Sequence, residues 1–165
     1  MKLLLCAAIV ALCAAIGRLL TNRIRERLTF FRSYQSAIVR LTDHVVGANM
    51  PVGEALRSCG SGVMAQCADE LQSTPFARLE TIWRTCFAAA VKQKGSLNKQ
   101  DAEMVAAGGT AIESLCGNPT AQQAGGYIKR LEKYVGALET EKQRKGKLLS
   151  TSGVLAGLLI ALLVI

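Results

Sequence analysis

The sequence predicts an all-α protein, a small cytoplasmic bundle of five or six helices flanked by an N-terminal and a C-terminal membrane helix. Three observations carry this reading. Apolar residues recur every three or four positions through the middle of the chain, and no stretch alternates with period two. Residues 3–16 and 148–165 are apolar runs without a charge. Gly, Asn and Pro punctuate the periodic segments where helices start and stop. The expected organisation is a transmembrane helix over 1–20, a bundle domain over 21–147 and a second transmembrane helix over 148–165.

The C-terminal run sets the frame. Its residues at about 1.5 Å each reach roughly 27 Å, enough to cross a hydrocarbon core. Lys142, Arg144, Lys145 and Lys147 precede it, and Arg18, Arg23, Arg25 and Arg27 follow the first run. Lys and Arg beside a span stay on the cytoplasmic side, so both flanks assign the middle of the chain to the cytosol. A cleaved signal peptide competes at the N-terminus, where Lys2 precedes a short apolar stretch ending in small residues such as Cys13, Ala14 and Ala15. The four arginines oppose translocation, and Leu12 occupies the position where a lipoprotein signal needs a small residue. A retained span is the expectation, with Arg18 snorkelling and Leu19 and Leu20 completing the apolar length.

The net charge of +8 raises the question of nucleic acid. Between residues 28 and 140, however, eleven basic residues face ten acidic ones, leaving +1. The excess is juxtamembrane, where each Lys or Arg near an anionic leaflet contributes about 1 kcal/mol. The expected contact is therefore the lipid bilayer and not nucleic acid. Six cysteines contain no CxxC pair, and His44 is the single histidine, so zinc-ligand spacing is missing. They read as small buried hydrophobes in a reducing compartment.

In chain order, Leu28, Phe31, Tyr34, Ile38, Leu41 and Val45 form one face of a helix over 23–46, ended by Gly47, Asn49 and Pro51. Pro51 suits the first position of a short helix carrying Val52, Ala55, Leu56 and Cys59, closed by Gly60 and Gly62. A weaker helix over 63–72 places Met64, Cys67, Ala68 and Leu71 together. Ser73, Thr74 and Pro75 then predict a cap for the next helix, whose stripe of Phe76, Leu79, Ile82, Trp83, Cys86, Phe87 and Ala90 is the bulkiest and belongs at the centre of the core. Gly95 stops it. Asn98 and Asp101 resemble a capping box for a helix with Val105, Gly109, Ile112 and Cys116 on one face. The pair Gly108 and Gly109 admits a close neighbour, and Gly117 ends the helix. Asn118 and Pro119 cap the last helix, with Tyr127, Leu131, Tyr134 and Leu138 inside. No strong breaker follows before residue 165, so bundle and span share one rod of about 60 to 70 Å.

No catalytic constellation is visible, neither a nucleophile with its base nor a carboxylate pair, metal cluster or phosphate loop. His44 beside Asp43 lies opposite the apolar stripe and reads as a surface residue. Asp69 and Glu70 are adjacent and point about 100° apart on a helix, so they cannot face each other. The expectation is a protein without enzymatic activity or cofactor. The spans carry a pattern instead. Gly153, Gly157 and Ala161 recur every four residues, as do Ala7, Ala11 and Ala15, the spacing that lets helices pack closely in lipid. Such faces would pair the two spans, receive another subunit or support self-association; small residues are also simply common in membrane helices.

The chain resembles the stage III sporulation protein AB family of endospore-forming bacteria over nearly its whole length. The resemblance rests on the N-terminal span with its arginines, on Phe31-Arg32 leading through Ala37-Ile38 and Leu41 to Pro51-Val52-x-Glu54-Ala55-Leu56, and above all on the ending from Lys145 through Gly153-Val154-Leu155-Ala156-Gly157 to Ile160. It implies a cytoplasmic domain similar to the inner-membrane platform component of type II secretion systems. It also implies membership of a complex joining mother cell and forespore, with a secretion-type ATPase and other membrane subunits as partners, on the outer forespore membrane facing the mother-cell cytoplasm. Glu54 and Arg57, on the outer side of the Pro51 helix, are the candidate partner contacts. Read alone, Glu54 stabilises a helix N-terminus and Arg57 is a solvated side chain. Two readings from other classes stand beside this one: a membrane-bound helical regulator or sensor signalling through the last helix, and an exported protein with its bundle across the membrane.

Overall fold

The computed structural model describes the backbone of all residues except 1, 61, 75, 76, 118–120 and 165, and within the helices it leaves out the side chains of 2–10, 13, 14, 17, 20, 93, 94, 117, 121, 123, 146–154 and 156–164. The described residues are all-α, with six α-helices and no strand: α1 (Lys2–Thr42), a π-helical turn (Asp43–Gly47), α2 (Val52–Ser58), α3 (Gly62–Ser73), α4 (Leu79–Lys94), α5 (Lys99–Gly117) and α6 (Ala121–Val164).

Local chemistry accounts for most of the boundaries. The π-helical turn closes α1 with Ala48 N–H on the Asp43 carbonyl at 3.2 Å and Met50 N–H on the His44 carbonyl at 3.0 Å. Asn49 then takes a left-handed backbone, φ 53°, which an Asn tolerates better than most residues. Pro51 stands one position earlier than expected. It is the extended residue before α2, and its carbonyl accepts the first helical bond from Ala55 N–H at 3.0 Å. Gly95, at φ 54°, terminates α4 in a left-handed conformation.

The start of α4 corrects the sequence reading. Ser73 and Thr74 do not cap it; their hydroxyls donate back to the Asp69 and Glu70 carbonyls at 2.8 and 2.6 Å, so they finish α3. Arg78 is extended and carries no side-chain cap bond, which delays the helix to Leu79; Pro75 and Phe76 lie outside the described residues. The Asn98–Asp101 box is present in full. Asp101 Oδ2 accepts from Asn98 N–H at 2.7 Å, and Asn98 Oδ1 accepts from Asp101 N–H at 2.8 Å. Asn118 and Pro119, expected to cap the last helix, are outside the described residues.

The chain divides into two compact units. The unit Phe30–Tyr134 holds an aromatic core: Phe31, Tyr34, Trp83, Phe87 and Tyr127 are all buried. Trp83 and Phe87 lie 4.5 Å apart between ring centroids, Tyr34 meets Phe87 edge-on at 5.5 Å, and Phe31 meets Tyr134 at 5.0 Å. The expected stripe of α1 within this unit, from Phe31 to Val45, is buried throughout. In α5 the outcome differs at one end. Val105 and Ile112 are buried, but Leu115 occupies the interior where Cys116 was expected, and Cys116 is exposed. Where two adjacent residues compete for one edge of a helix face, burying the larger apolar side chain gains more.

The second unit combines Met1–Thr29 with Val135–Ile165. Leu28, Val135 and Leu138 are buried in it, and Arg27 Nη1 stands 3.9 Å from Glu141 Oε2. Among the described residues no helix is long and apolar enough to cross a membrane. Most side chains of the two apolar runs lie outside those residues.

Candidate docking and membrane-proximal surfaces

The candidate contacts on α2 both sit on the solvent side of a packing boundary. Ala55 and Leu56 turn inward and are fully buried, whereas Glu54 and Arg57 are exposed. Arg57 is solvated, as the sequence suggests, and is also paired. Its Nη2 reaches Asp69 Oδ1 at 2.8 Å and Gln72 Oε1 at 2.6 Å, tying α2 to α3. Both partners remain about half exposed or more, 51% for Arg57 and 67% for Asp69, so the pair is a solvated one of modest strength. Together Glu54, Arg57, Asp69 and Gln72 present a polar edge that can accept and donate hydrogen bonds to a partner.

The basic residues divide by environment. Arg18, Arg23, Arg25 and Arg144 are exposed. Arg27 and Lys142 are half-buried, and Lys145 Nζ is 2.6 Å from Glu141 Oε1. Glu141 thus lies beside two of the basic residues. Lys147 is outside the described side chains. On α1 the large apolar residues Leu12, Ile16 and Leu19 are exposed by 64, 50 and 64%, and on α6 so is Leu155 by 56%. Positions 12, 16 and 19 share one helical face. Of the small-residue pattern, Ala11 and Ala15 are exposed, while Ala7, Gly153, Gly157 and Ala161 are outside the described side chains.

Within the unit Phe30–Tyr134 a polar cluster is built on a glycine pair. Gly108 and Gly109 lack a Cβ over the carbonyls one turn earlier in α5, and three aromatic donors use the opening. Trp83 Nε1–H donates to the Val105 carbonyl at 2.9 Å and Tyr127 Oη–H to the Met104 carbonyl at 2.9 Å. Tyr34 Oη lies 3.2 Å from the Val105 carbonyl and 3.1 Å from Tyr127 Oη. Two hydroxyl hydrogens serve three contacts. The Val105 carbonyl, with two lone pairs, accepts both the indole N–H and the Tyr34 hydroxyl, and Tyr127 donates to Met104. A Cβ on Gly108 would collide with Tyr34 Oη and lie 2.9 Å from Tyr127 Oη; one on Gly109 would lie 3.0 Å from the Trp83 Cβ. Burial pushes the Tyr34 hydroxyl well above its ordinary range and that of Tyr127 to about 12. Tyr134 Oη–H donates to the buried Asp101 carboxylate at 2.7 Å.

Sequence reasoning missed one surface, a groove of ≈ 480 Å³ between α4 and α5 floored by Phe87, Val91 and Val105 with Arg84, Lys99 and Glu103 on its lining. The signal for it is the run of small residues at 88–90 and 106–109, which leaves space between two packed helices. His44, expected at the surface, is half-buried. Among the described residues no group of three or more His, Cys, Asp or Glu could hold a metal ion.

In comparison with known proteins, the family model described as stage III sporulation protein AB matches residues 2–165. No curated protein and no solved structure matches the chain.

Proposed function

The chain belongs to the stage III sporulation protein AB family, and from that premise we propose that it is a non-enzymatic, membrane-anchored platform subunit of the secretion-like complex joining mother cell and forespore, docking a cytosolic secretion-type ATPase. The observation that carries the anchoring is the exposed apolar face of Leu12, Ile16 and Leu19 running into the exposed Arg18, Arg23 and Arg25. An unpartnered apolar stripe beside a cationic cluster fits a helix that meets lipid with its charges on the headgroups. The span is extended at the N-terminal end by residues 3–16 and matched at the other end by 148–165. The domain faces the mother-cell cytoplasm from the outer forespore membrane, and other membrane subunits of the complex, or a second copy, pack on the small-residue faces.

The ATPase meets the polar edge of α2 and α3. Glu54 is free to approach a partner, whereas Arg57 does so while holding Asp69 and Gln72. Co-purification of the tagged full chain with the ATPase from sporulating cells tests this, comparing wild type with Glu54→Lys, Arg57→Glu and the double variant, and with thermal melting as a control for folding. A folded double variant that retains full binding removes this edge from consideration. Topology is tested separately with Cys116, the exposed thiol of the domain. Labelling of Cys116 by an impermeant maleimide in intact cells would place the domain across the membrane and overturn the ATPase proposal.

A further inference from the structure

A pair of thiols in the unit Phe30–Tyr134 has no part in the proposed docking or anchoring. Helices α3 and α4 are consecutive and packed together, joined by the five residues between Ser73 and Leu79. So short a connection makes neighbouring helices antiparallel. In such a hairpin, positions equally far from the turn stand level. Cys67 lies six residues before the end of α3 and Cys86 seven residues after the start of α4, so the register sets them opposite each other. The two sulfurs are near enough to act on each other: the Cys86 thiol is among the groups that hold the Cys67 proton on. Cys67 is fully buried and Cys86 is half-buried, so one sulfur of the pair is reachable from solvent and the other is not.

We propose that Cys67 and Cys86 are a peroxide-oxidisable pair in which Cys86 reacts first and Cys67 resolves it, closing a disulfide across the α3–α4 hairpin. In the first step the Cys86 thiolate attacks one oxygen of hydrogen peroxide. The O–O bond breaks, and the hydroxide that leaves takes up a proton to become water, giving Cys86 sulfenic acid. In the second step Cys67 gives up its proton as its sulfur attacks the Cys86 sulfur, and the sulfenic oxygen departs as a second water. Each sulfur is oxidised by one electron, and the two peroxide oxygens are reduced together by two. The order follows from access. Burial, reinforced by the neighbouring Cys86 sulfur, pushes the Cys67 thiol up, which suits it to the internal step and not to capturing an oxidant from water. The reaction is independent of docking and of membrane topology, so it stands or falls apart from the proposed function.

The full-length chain in detergent, with Cys59 replaced by Ser, provides the test, because trypsin then releases Cys67 within 58–78 and Cys86 within 85–92 as the only cysteines of their peptides. After hydrogen peroxide, the two peptides are expected joined and two hydrogens lighter by mass spectrometry without reductant, and separate after reductant. In C59S/C67S, Cys86 sulfenic acid is expected to accumulate and be trapped by dimedone; in C59S/C86S, Cys67 is expected to stay a thiol. Peroxide that leaves both peptides unlinked while Cys86 is carried on to sulfinic acid would show that the sulfurs do not meet. Equal dimedone capture at Cys67 and Cys86 in the two variants would overturn the assigned order.

Discussion

The aromatic centre of the unit Phe30–Tyr134 and its α2–α3 edge are held together by opposite means. At the centre, Trp83, Tyr34 and Tyr127 bring buried donors to two carbonyls of α5, with no room beside Gly108. At the edge, Arg57 reaches Asp69 and Gln72 in solvent. A buried donor that loses its partner cannot turn to water, so each contact at the centre depends on the others. An exposed ion pair that breaks is rehydrated. The centre therefore fixes the packing, and the edge is free to vary or to exchange its contacts for those of a partner.

The largest expected effect is alkaline. Burial holds the Tyr127 hydroxyl at about 12 against 10.0 for a free tyrosine, and Tyr34 shifts the same way. For an acid whose folded pKa is raised, the unfolded chain releases its proton first. The contribution is intact below about pH 10 and is lost as pH rises toward about pH 12, to a total of about 2 to 3 kcal/mol for Tyr127. Thermal melting of the full chain in detergent across that range should show the decline. Tyr127→Phe should make it shallower, leaving the part due to Tyr34, while lowering the midpoint at neutral pH through the lost bond to Met104. A wild-type curve flat through this window would mean that the hydroxyls are solvated and the centre is no different from the edge.

Next in size is the glycine contrast. Gly→Ala inside a helix ordinarily stabilises by about 1 kcal/mol. Gly126 in α6 has open space around it, so Gly126→Ala should show that gain. Gly108→Ala should reverse the sign, destabilising by about 2 kcal/mol, because the new methyl displaces Tyr34 Oη and strains its bonds. Melting midpoints moving in opposite directions would confirm that the centre is closed; equal shifts would show that it yields.

What the sequence disclosed of this arrangement depended on range. The Asn98–Asp101 box joins residues three positions apart and was readable from residue type alone, and the α1 stripe was readable because burial follows the helical period. The bond from Tyr134 to Asp101 joins residues 33 apart, so the carboxylate that marked a helix start gave no sign that it was also fully buried. Gly108 and Gly109 predicted a close approach, yet only the fold supplied the three donors that make it. Ser73 and Thr74 misled because their hydroxyls serve either a following helix or a preceding one, and Arg78 settled the choice. At the candidate site, Glu54 and Arg57 were placed correctly on the outer face of α2. The partners of Arg57 lie 12 and 15 residues away on another helix, where one-dimensional spacing has no purchase.

The smallest effect is the sharpest test of the edge. Arg57→Ala removes two contacts at 2.8 and 2.6 Å, which by distance alone look as strong as any in the unit. Exposure decides otherwise. With Arg57 and Asp69 about half exposed or more, water replaces what is lost, and ordering two long side chains offsets part of the attraction. The expected cost is about 0.5 kcal/mol, and a double-mutant cycle with Asp69→Ala should assign most of it to the pair. A loss of about 2 kcal/mol or more would make Arg57 a structural clamp, and its release toward a partner would then cost more than a docking surface can return. A small loss in melting combined with a large loss of ATPase co-purification is the outcome that separates a contact kept for docking from one kept for folding.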